Sequence, residues 1–314
     1  MKIAILGATS QIAKDLILSF SADSTHELTL FARRPDVVSH WLLSVGYADR
    51  YVVANFDQFD LESEFDAILN FVGVGNPALA KEMGASIFDV TLKYDQMALE
   101  YVQRHPGCRY LFLSSGAAYG GNFEEPVNEH SHAVVPINHL QAQDWYGAAK
   151  LYAECRHRSL PDLPIIDIRV FSYFSQTQDR SARFFISDIL HAIEEKSVLK
   201  TSAVNIVRDY LHPDDFYRLV NSLLLAPTMN TVVDCYSLAP VNKFDLLDAL
   251  GKQFSLNYEI AGEGAGINAT GNKLNYFSKN YRAADYGYQP GWSSLTGIAT
   301  VMQAMLGKSN LDHE

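Results

Sequence analysis

K-I-A-I-L-G-A-T-S-Q-I-A, Lys2 to Ala13, is an apolar run that meets a glycine and then opens an amphipathic stretch. Lys2 to Leu6 reads as a buried strand. Ile12 to Phe20 reads as a helix with Ile12, Leu16 and Phe20 on one face. Gly7 permits the tight turn between them, and the small Ala13 lets helix and strand pack closely. The N–H groups of a helix's first turn lack intrahelical partners and attract phosphate. Gly7 to Ala13 therefore reads as a turn that binds a dinucleotide pyrophosphate. The plainer reading is an ordinary strand-to-helix connection, since Ser10 stands where a further glycine is usual.

Outward from that turn the same rhythm repeats. Strands are expected at Leu28 to Phe31, Arg50 to Ala54, Ala67 to Val72, Tyr110 to Leu113 and Ile165 to Phe171. Helices are expected at Val90 to Gln103 and Tyr146 to Arg158. This alternation predicts an α/β fold with a doubly wound parallel sheet and right-handed crossovers. The second half is less regular. Helices are expected at Ala182 to Glu195, Asp214 to Leu225 and Lys243 to Phe254, with a strand at Val232 to Ser237. Gly262, Gly264, Gly266 and Gly271 mark a loop over 261–272. The division is a dinucleotide-binding domain over 1–172 and a smaller C-terminal substrate domain over 173–314. The strand near 232–237 is a candidate to return to the first.

The chain has 314 residues, 48% of them hydrophobic and 19% charged, enough apolar chain for a substantial core. A formal charge of -11 argues against nucleic acid and anionic membranes as partners. It leaves anionic small molecules open, because a basic pocket is compatible with an acidic exterior. Cys108, Cys155 and Cys235 are widely separated and offer no zinc spacing. His130, His132 and His139 form no helical pair, so no metal site is expected. No stretch approaches the roughly 20 apolar residues of a membrane span. The expected location is cytoplasmic.

Four further stretches carry chemistry. F-A-R-R, Phe31 to Arg34, ends the second strand, where this sheet type holds the adenosine ribose. It offers no acid for a 2′-hydroxyl; Arg33 and Arg34 instead suit the 2′-phosphate of NADP. Y-G-A-A-K puts Tyr146 and Lys150 about one helical turn apart on one face. An ammonium beside a phenol favours the phenolate, which would lower the Tyr146 pKa and suit it to proton transfer. S-S-G-A-A-Y-G, Ser114 to Gly120, follows the fifth strand, where a serine can hold a reacting carbonyl. In V-R-D-Y-L-H-P-D-D, Val207 to Asp215, Arg208 can bind a diphosphate; a loop held by a local Arg–Asp pair is the plainer reading.

Taken together, these motifs resemble the extended short-chain dehydrogenase/reductase family, the NAD-dependent epimerase/dehydratase group that modifies nucleotide sugars. The resemblance covers most of residues 1–220 and resumes in S-K-N-Y-R-A-A-D-Y-G-Y-Q-P, Ser278 to Pro290. It implies a Rossmann sheet and a catalytic set of Ser115, Tyr146 and Lys150. Gly7, Thr9, Ser10, Gln11 and Ile12 would line the cofactor pyrophosphate, with Arg33 and Arg34 at the adenosine end and Asp57 near the adenine. F-V-G-V-G, Phe71 to Gly75, stands where the family commonly has His-x-Ala-Ala, which puts Phe71 at the nicotinamide-ribose contacts with different chemistry. Ser115, Ala117 and Arg208 would meet a nucleotide-diphosphate sugar. A homodimer through the helices at 90–103 and 146–158 is also implied.

The resemblance narrows the reaction. The family's 4,6-dehydratases place an Asp–Glu pair after the catalytic hydroxyl residue, where this chain has Gly116 and Ala117. Relatives that epimerise before reducing carry a cysteine at the Ala117 place. What remains is hydride transfer at a keto carbon. The favoured reading is reduction of a 4-keto nucleotide sugar, with NADP as cofactor and NAD as the alternative. Two other readings stand beside it. One is an NAD-dependent 4-epimerase, and the other is a non-catalytic NADP-binding sensor or scaffold.

Overall fold

The computed structural model describes residues 1–23, 26–74, 80, 82–121, 123–182, 184–261 and 273–311. Along the chain come β1 (Lys2–Leu6), α1 (Gln11–Asp23), β2 (Glu27–Phe31), α2 (Pro35–Ser44), β3 (Val52–Ala54), β4 (Ala67–Asn70), α3 (Ser86–Arg104), β5 (Arg109–Ser115), α4 (Trp145–Arg158), β6 (Ile165–Val170) and β7 (Ser172–Tyr173). Beyond lie α5 (Phe185–Glu194), β8 (Val198–Thr201), β9 (Val207–Arg208), β10 (Tyr210–Leu211), α6 (Pro213–Leu225), β11 (Thr231–Asp234), β12 (Val241–Asn242), α7 (Lys243–Phe254), β13 (Asn257–Ile260), β14 (Asn275–Tyr276) and α8 (Ser294–Leu311).

The central sheet has seven strands in the order β11-β6-β5-β4-β1-β2-β3, and every neighbouring pair is parallel. This is the doubly wound Rossmann arrangement. β1 sits where the strand order turns back, with Ile3 paired to Leu28 on one side and to Ala67 on the other. Its alternating side chains feed two cores, as a strand's period of two requires. Ile3 and Ile5 pack under α1, α2 and α6, while Ala4 and Leu6 pack under α3 and α4. Both faces are covered, so β1 reads as a continuous apolar run.

Two helices escaped the sequence reading. Pro35 opens α2 at a position where its missing N–H costs nothing, and Val38 and Leu42 face inward. α8 buries Ile298, Val301, Met302 and Met305, a spacing of three and four along one face. It joins α5 and α7 in the second lobe's core, beside Ile189, Leu190, Leu246, Leu247 and Leu250. The expected strand near 232–237 is β11, which leaves the second half and pairs with β6. α6, just before it in the chain, also packs on the first half, burying Phe216, Leu219, Val220, Leu223 and Leu224 against the sheet. The glycine loop expected over 261–272 lies, except for Ala261, outside the described residues.

α4 is held in place by a buried ionic cluster. His157 is fully buried and bridges two aspartates, Nδ1 to Asp167 Oδ1 at 2.6 Å and Nε2 to Asp95 Oδ1 at 2.7 Å. Arg156 adds a bond to Asp95 and Arg158 one to Asp167, at 2.7 and 2.8 Å. The Tyr110 hydroxyl donates to Asp95 at 2.9 Å. The cluster ties α4 to α3, β5 and β6. Buried charge is tolerated here because each carboxylate has several donors.

Candidate active site

The turn after β1 is built as the sequence suggested. Gly7 has φ +85°, and a Cβ there would meet the Phe71 and Val72 backbone at 3.0 Å. Only glycine fits that conformation without strain. The Gly7 and Ala8 N–H groups donate to Phe31 O at 2.9 and 3.1 Å, closing the turn onto β2. α1 then starts at Gln11, with Thr9 exposed and Ser10 and Ile12 half-buried at its mouth. The Gln11 amide is turned toward the second half. It donates to Ser175 Oγ at 2.9 Å and to Gln178 Oε1 at 3.1 Å. Deeper in α1, buried Asp15 accepts from Tyr173 and Thr177 at 2.9 and 2.8 Å.

Arg33 and Arg34 are exposed at the end of β2, and Asp57 is exposed on the short turn after β3. Phe71 differs from expectation. Its ring is buried in the core at 6.2 Å from Phe216, so it offers the groove backbone rather than side chain. Gly75, at the end of the F-V-G-V-G stretch, lies outside the described residues.

Ser115 closes β5, and Tyr146 and Lys150 stand on the first turns of α4. The three converge at the carboxyl edge of the sheet. Ser115 Oγ accepts from the Ala117 N–H at 3.1 Å, and its hydroxyl is near enough to the Tyr146 phenol to pull its pKa down. Lys150 Nζ donates to Leu113 O at 2.7 Å and lies 6.0 Å from the Tyr146 ring centroid. A Cβ on Gly73 would meet that ammonium at 3.2 Å, so the loop after β4 passes directly over it. Gly147 makes the convergence possible. A Cβ there would lie 2.5 Å from Ala117 O, and without one α4 rests against the turn after β5.

The electrostatics differ in one respect from the sequence reading. Burial raises the Tyr146 phenol above its ordinary value, with the Ser115 hydroxyl pulling the other way. The lowering expected from Lys150 is not what this geometry gives. Lys150 itself is pushed down to about 8 by burial, against the carboxylates of Asp95, Asp167 and Glu154 that support its charge. Beneath it, Glu154 accepts from Ser114 at 2.5 Å and pairs with Arg169.

On the substrate side Arg208 is buried in β9, and its guanidinium donates to Val207 O at 2.8 Å. The local Arg–Asp pair weighed as the plainer reading forms elsewhere. Asp215 accepts from the Gly291 and Trp292 N–H groups and faces Arg218, while Asp209 accepts from Ser237 and Ser294. Two residues here were missed from sequence. Tyr276 is buried beside Ser115, its hydroxyl 3.4 Å from Ser115 Oγ. Lys273 lies 4.6 Å over the Tyr276 ring and is pushed down to about 8, first by burial and then by Arg208. Neither sits in a motif; both are brought in by β14, a strand of two residues.

The segment from Phe123 to Asp144 is tied to this same stretch. Asn275 N–H donates to Phe123 O at 2.9 Å, and Lys279 N–H to Val127 O at 2.7 Å. His130, His132 and His139 are exposed along it. Among the described residues no group of three His, Cys, Asp or Glu side chains could hold a metal, and no helix is long and apolar enough to cross a membrane.

The cofactor implied by this fold fits what is present. Gly7 lets the turn close tightly between β2 and the loop after β4, α1 starts at Gln11 directly beyond it, and Lys150 lies under Gly73. Solved structures share the fold over nearly the whole chain. UDP-glucuronic acid 4-epimerase from Bacillus cereus, solved with NAD, is 16% identical with a TM-score of 0.76, covering 98% of this chain and 99% of that one. dTDP-glucose 4,6-dehydratase from Bacillus anthracis, also with NAD, is 14% identical with a TM-score of 0.78, covering 99% and 98%. UDP-glucose 4-epimerase from Thermotoga maritima, with UDP-glucose, is 16% identical with a TM-score of 0.74, covering 99% and 100%. At such identities the likeness establishes the fold alone. No curated protein sequence matches the chain. The pattern of the NAD dependent epimerase/dehydratase family matches residues 3–235, and on that match the chain belongs to this family.

Proposed function

We propose that the protein reduces a 4-keto nucleotide-diphosphate sugar with NADPH. The observation that carries the reading is the meeting of Ser115, Tyr146 and Lys150 at the carboxyl end of β5, beside the Gly7 turn's opening. Bound NADPH supplies the hydride that the keto carbon accepts. Arg33 and Arg34 grip its 2′-phosphate. Thr9 and Ser10 in the turn, with the backbone of Gln11 and Ile12 at the start of α1, face its pyrophosphate. Ser115 donates to the keto oxygen and holds it, Tyr146 passes that oxygen a proton, and Lys150 binds the ribose hydroxyls next to the phenol. Arg208 takes the diphosphate of the sugar nucleotide.

Dehydration is disfavoured by packing as well as by residue type. A side chain at Gly116 would meet the Phe171 ring at 2.4 Å, so an acid–base residue has no room there. A second reading, NAD-dependent 4-epimerisation, is favoured by structural neighbours solved with NAD, 4-epimerases among them. The arginine pair without an acid at the end of β2 favours the reductase.

The test is NADPH absorbance with a panel of 4-keto nucleotide sugars. Net oxidation supports reduction, interconversion without net oxidation supports the epimerase, and cofactor binding without either supports a sensor. Tyr146→Phe should lower turnover by about a hundredfold or more with little change in cofactor affinity. Unchanged turnover in that variant would refute the assignment.

A further inference from the structure

Tyr276 lies 161 residues beyond Ser115 in sequence, yet its hydroxyl is 3.4 Å from the serine Oγ. It is 3% exposed, with Phe123 and Phe171 against its ring at centroid distances of 4.9 and 5.3 Å. The register of β14 on β9 sets it opposite Arg208, whose guanidinium is 5.8 Å from the ring. A substrate that reaches from Arg208 to Ser115 passes this phenol.

The hydrogen-bond capacity of Ser115 gives the phenol a task. A serine hydroxyl has one proton to donate and two lone pairs to receive. The Ala117 N–H fills one lone pair. If the serine proton goes to the keto oxygen, a donor is needed for the other. Tyr146 is committed, since its own proton goes to the substrate. Among the described residues, Tyr276 is the other hydroxyl within reach of Ser115 Oγ. Burial keeps its phenol above the ordinary value, against the pull of Ser115, so it stays protonated and able to donate.

We propose that Tyr276 is a positioning residue for the reduction: its O–H donates to Ser115 Oγ, fills the second lone pair, and turns the serine proton toward the keto oxygen of the substrate. The proposal rests on the reading of the site given above, so its test must be able to fail separately.

Tyr276→Phe keeps the ring in its aromatic cluster and removes only the hydroxyl. Turnover of the keto sugar should fall about tenfold, the loss of one hydrogen bond, while KM rises by no more than about threefold. The thermal midpoint should not move. In a Ser115→Ala background the same substitution should cost nothing more, because the group it orients is gone. Additive losses, or a Tyr276→Phe enzyme as fast as the parent, overturn the proposal. A second readout needs no turnover. The same variants are titrated with UDP-glucose against UDP, and with dTDP-glucose against dTDP. Tyr276→Phe should cut the preference for the sugar-bearing ligand about threefold, and should leave it unchanged once Ser115 is alanine. A parent protein that binds these sugars but reduces no keto sugar sinks the reductase reading alone. The coupling in binding then decides Tyr276, non-additivity supporting it and additivity overturning it. A parent protein that binds none of the four ligands overturns both.

Discussion

Arg33 is exposed just beyond β2, on the rim where the adenosine side of the cofactor would lie, and its chain neighbours Ala32 and Arg34 are not acidic. On the proposed reading, Arg33 and its neighbour Arg34 select the cofactor there. Arg33→Asp should raise KM for NADPH by roughly ten- to a hundredfold, the range for a lost charge-assisted bond, and should improve the use of NADH. Steady-state kinetics with both cofactors check it; equal KM values in the two proteins would remove Arg33 from the phosphate site. Single residues of this kind were legible when their partners lay within one turn of chain. Gly7, Ser115, Tyr146 and Lys150 each announce themselves in a short motif. Tyr276 and Lys273 do not, because pairing of β14 with β9 delivers them. The Tyr146 pKa was misjudged for a related reason. Spacing shows that an ammonium is near, but not that burial outweighs it.

Among the elements, α4 does most to shape the site, and its two ends behave differently with pH. At the far end, burial would lower His157, but Asp167 and Asp95 outweigh it and hold the imidazole up to about 9. Its folded pKa therefore lies above its unfolded value of about 6.5. Such a group stabilises fully below about pH 6.5, and the gain is lost as pH rises through about 9. His157→Gln should lower stability by on the order of 3 kcal/mol near pH 6 and by little near pH 10. Lys150 has the opposite sign. Its folded value of about 8 lies below the ordinary one, so its burial cost fades as pH rises above 8. Comparing parent and variant cancels that contribution. Denaturant titrations across pH read the difference, and a constant gap would mean the histidine is not charged in the fold. The cluster itself was not visible in sequence, since Asp95, His157 and Asp167 come from three elements. α2 and α8 were legible in principle. Val38 and Leu42, and the Ile298 to Met305 spacing, carry the helical period, but each helix lies beyond the motifs that drew attention.

At the scale of the whole molecule, the halves share more than a border. Gln11 and Asp15 fasten α1 to the 173–178 connection that leads into the second lobe. Ligand binding at the α1 turn should therefore register in the unfolding of the entire chain. NADP at about one hundred times its Kd should raise the thermal midpoint by about 4 °C, following mass action and the size of the chain. NAD at the same concentration should raise it less, and scanning calorimetry or dye-based melting would show the reverse order if the cofactor preference is mistaken.

The sheet's outer strand has a consequence for biogenesis. β6 is complete at Val170, but the strand that covers its edge, β11, begins only at Thr231, and α6 is made just before it. A growing polypeptide thus spends the synthesis of 171–230 with one flank of the first half's sheet bare, exposed to wrong pairings and to chaperones. That half is not a cassette that can be transplanted by cutting the gene at one point: a graft has to carry the later segment back with it.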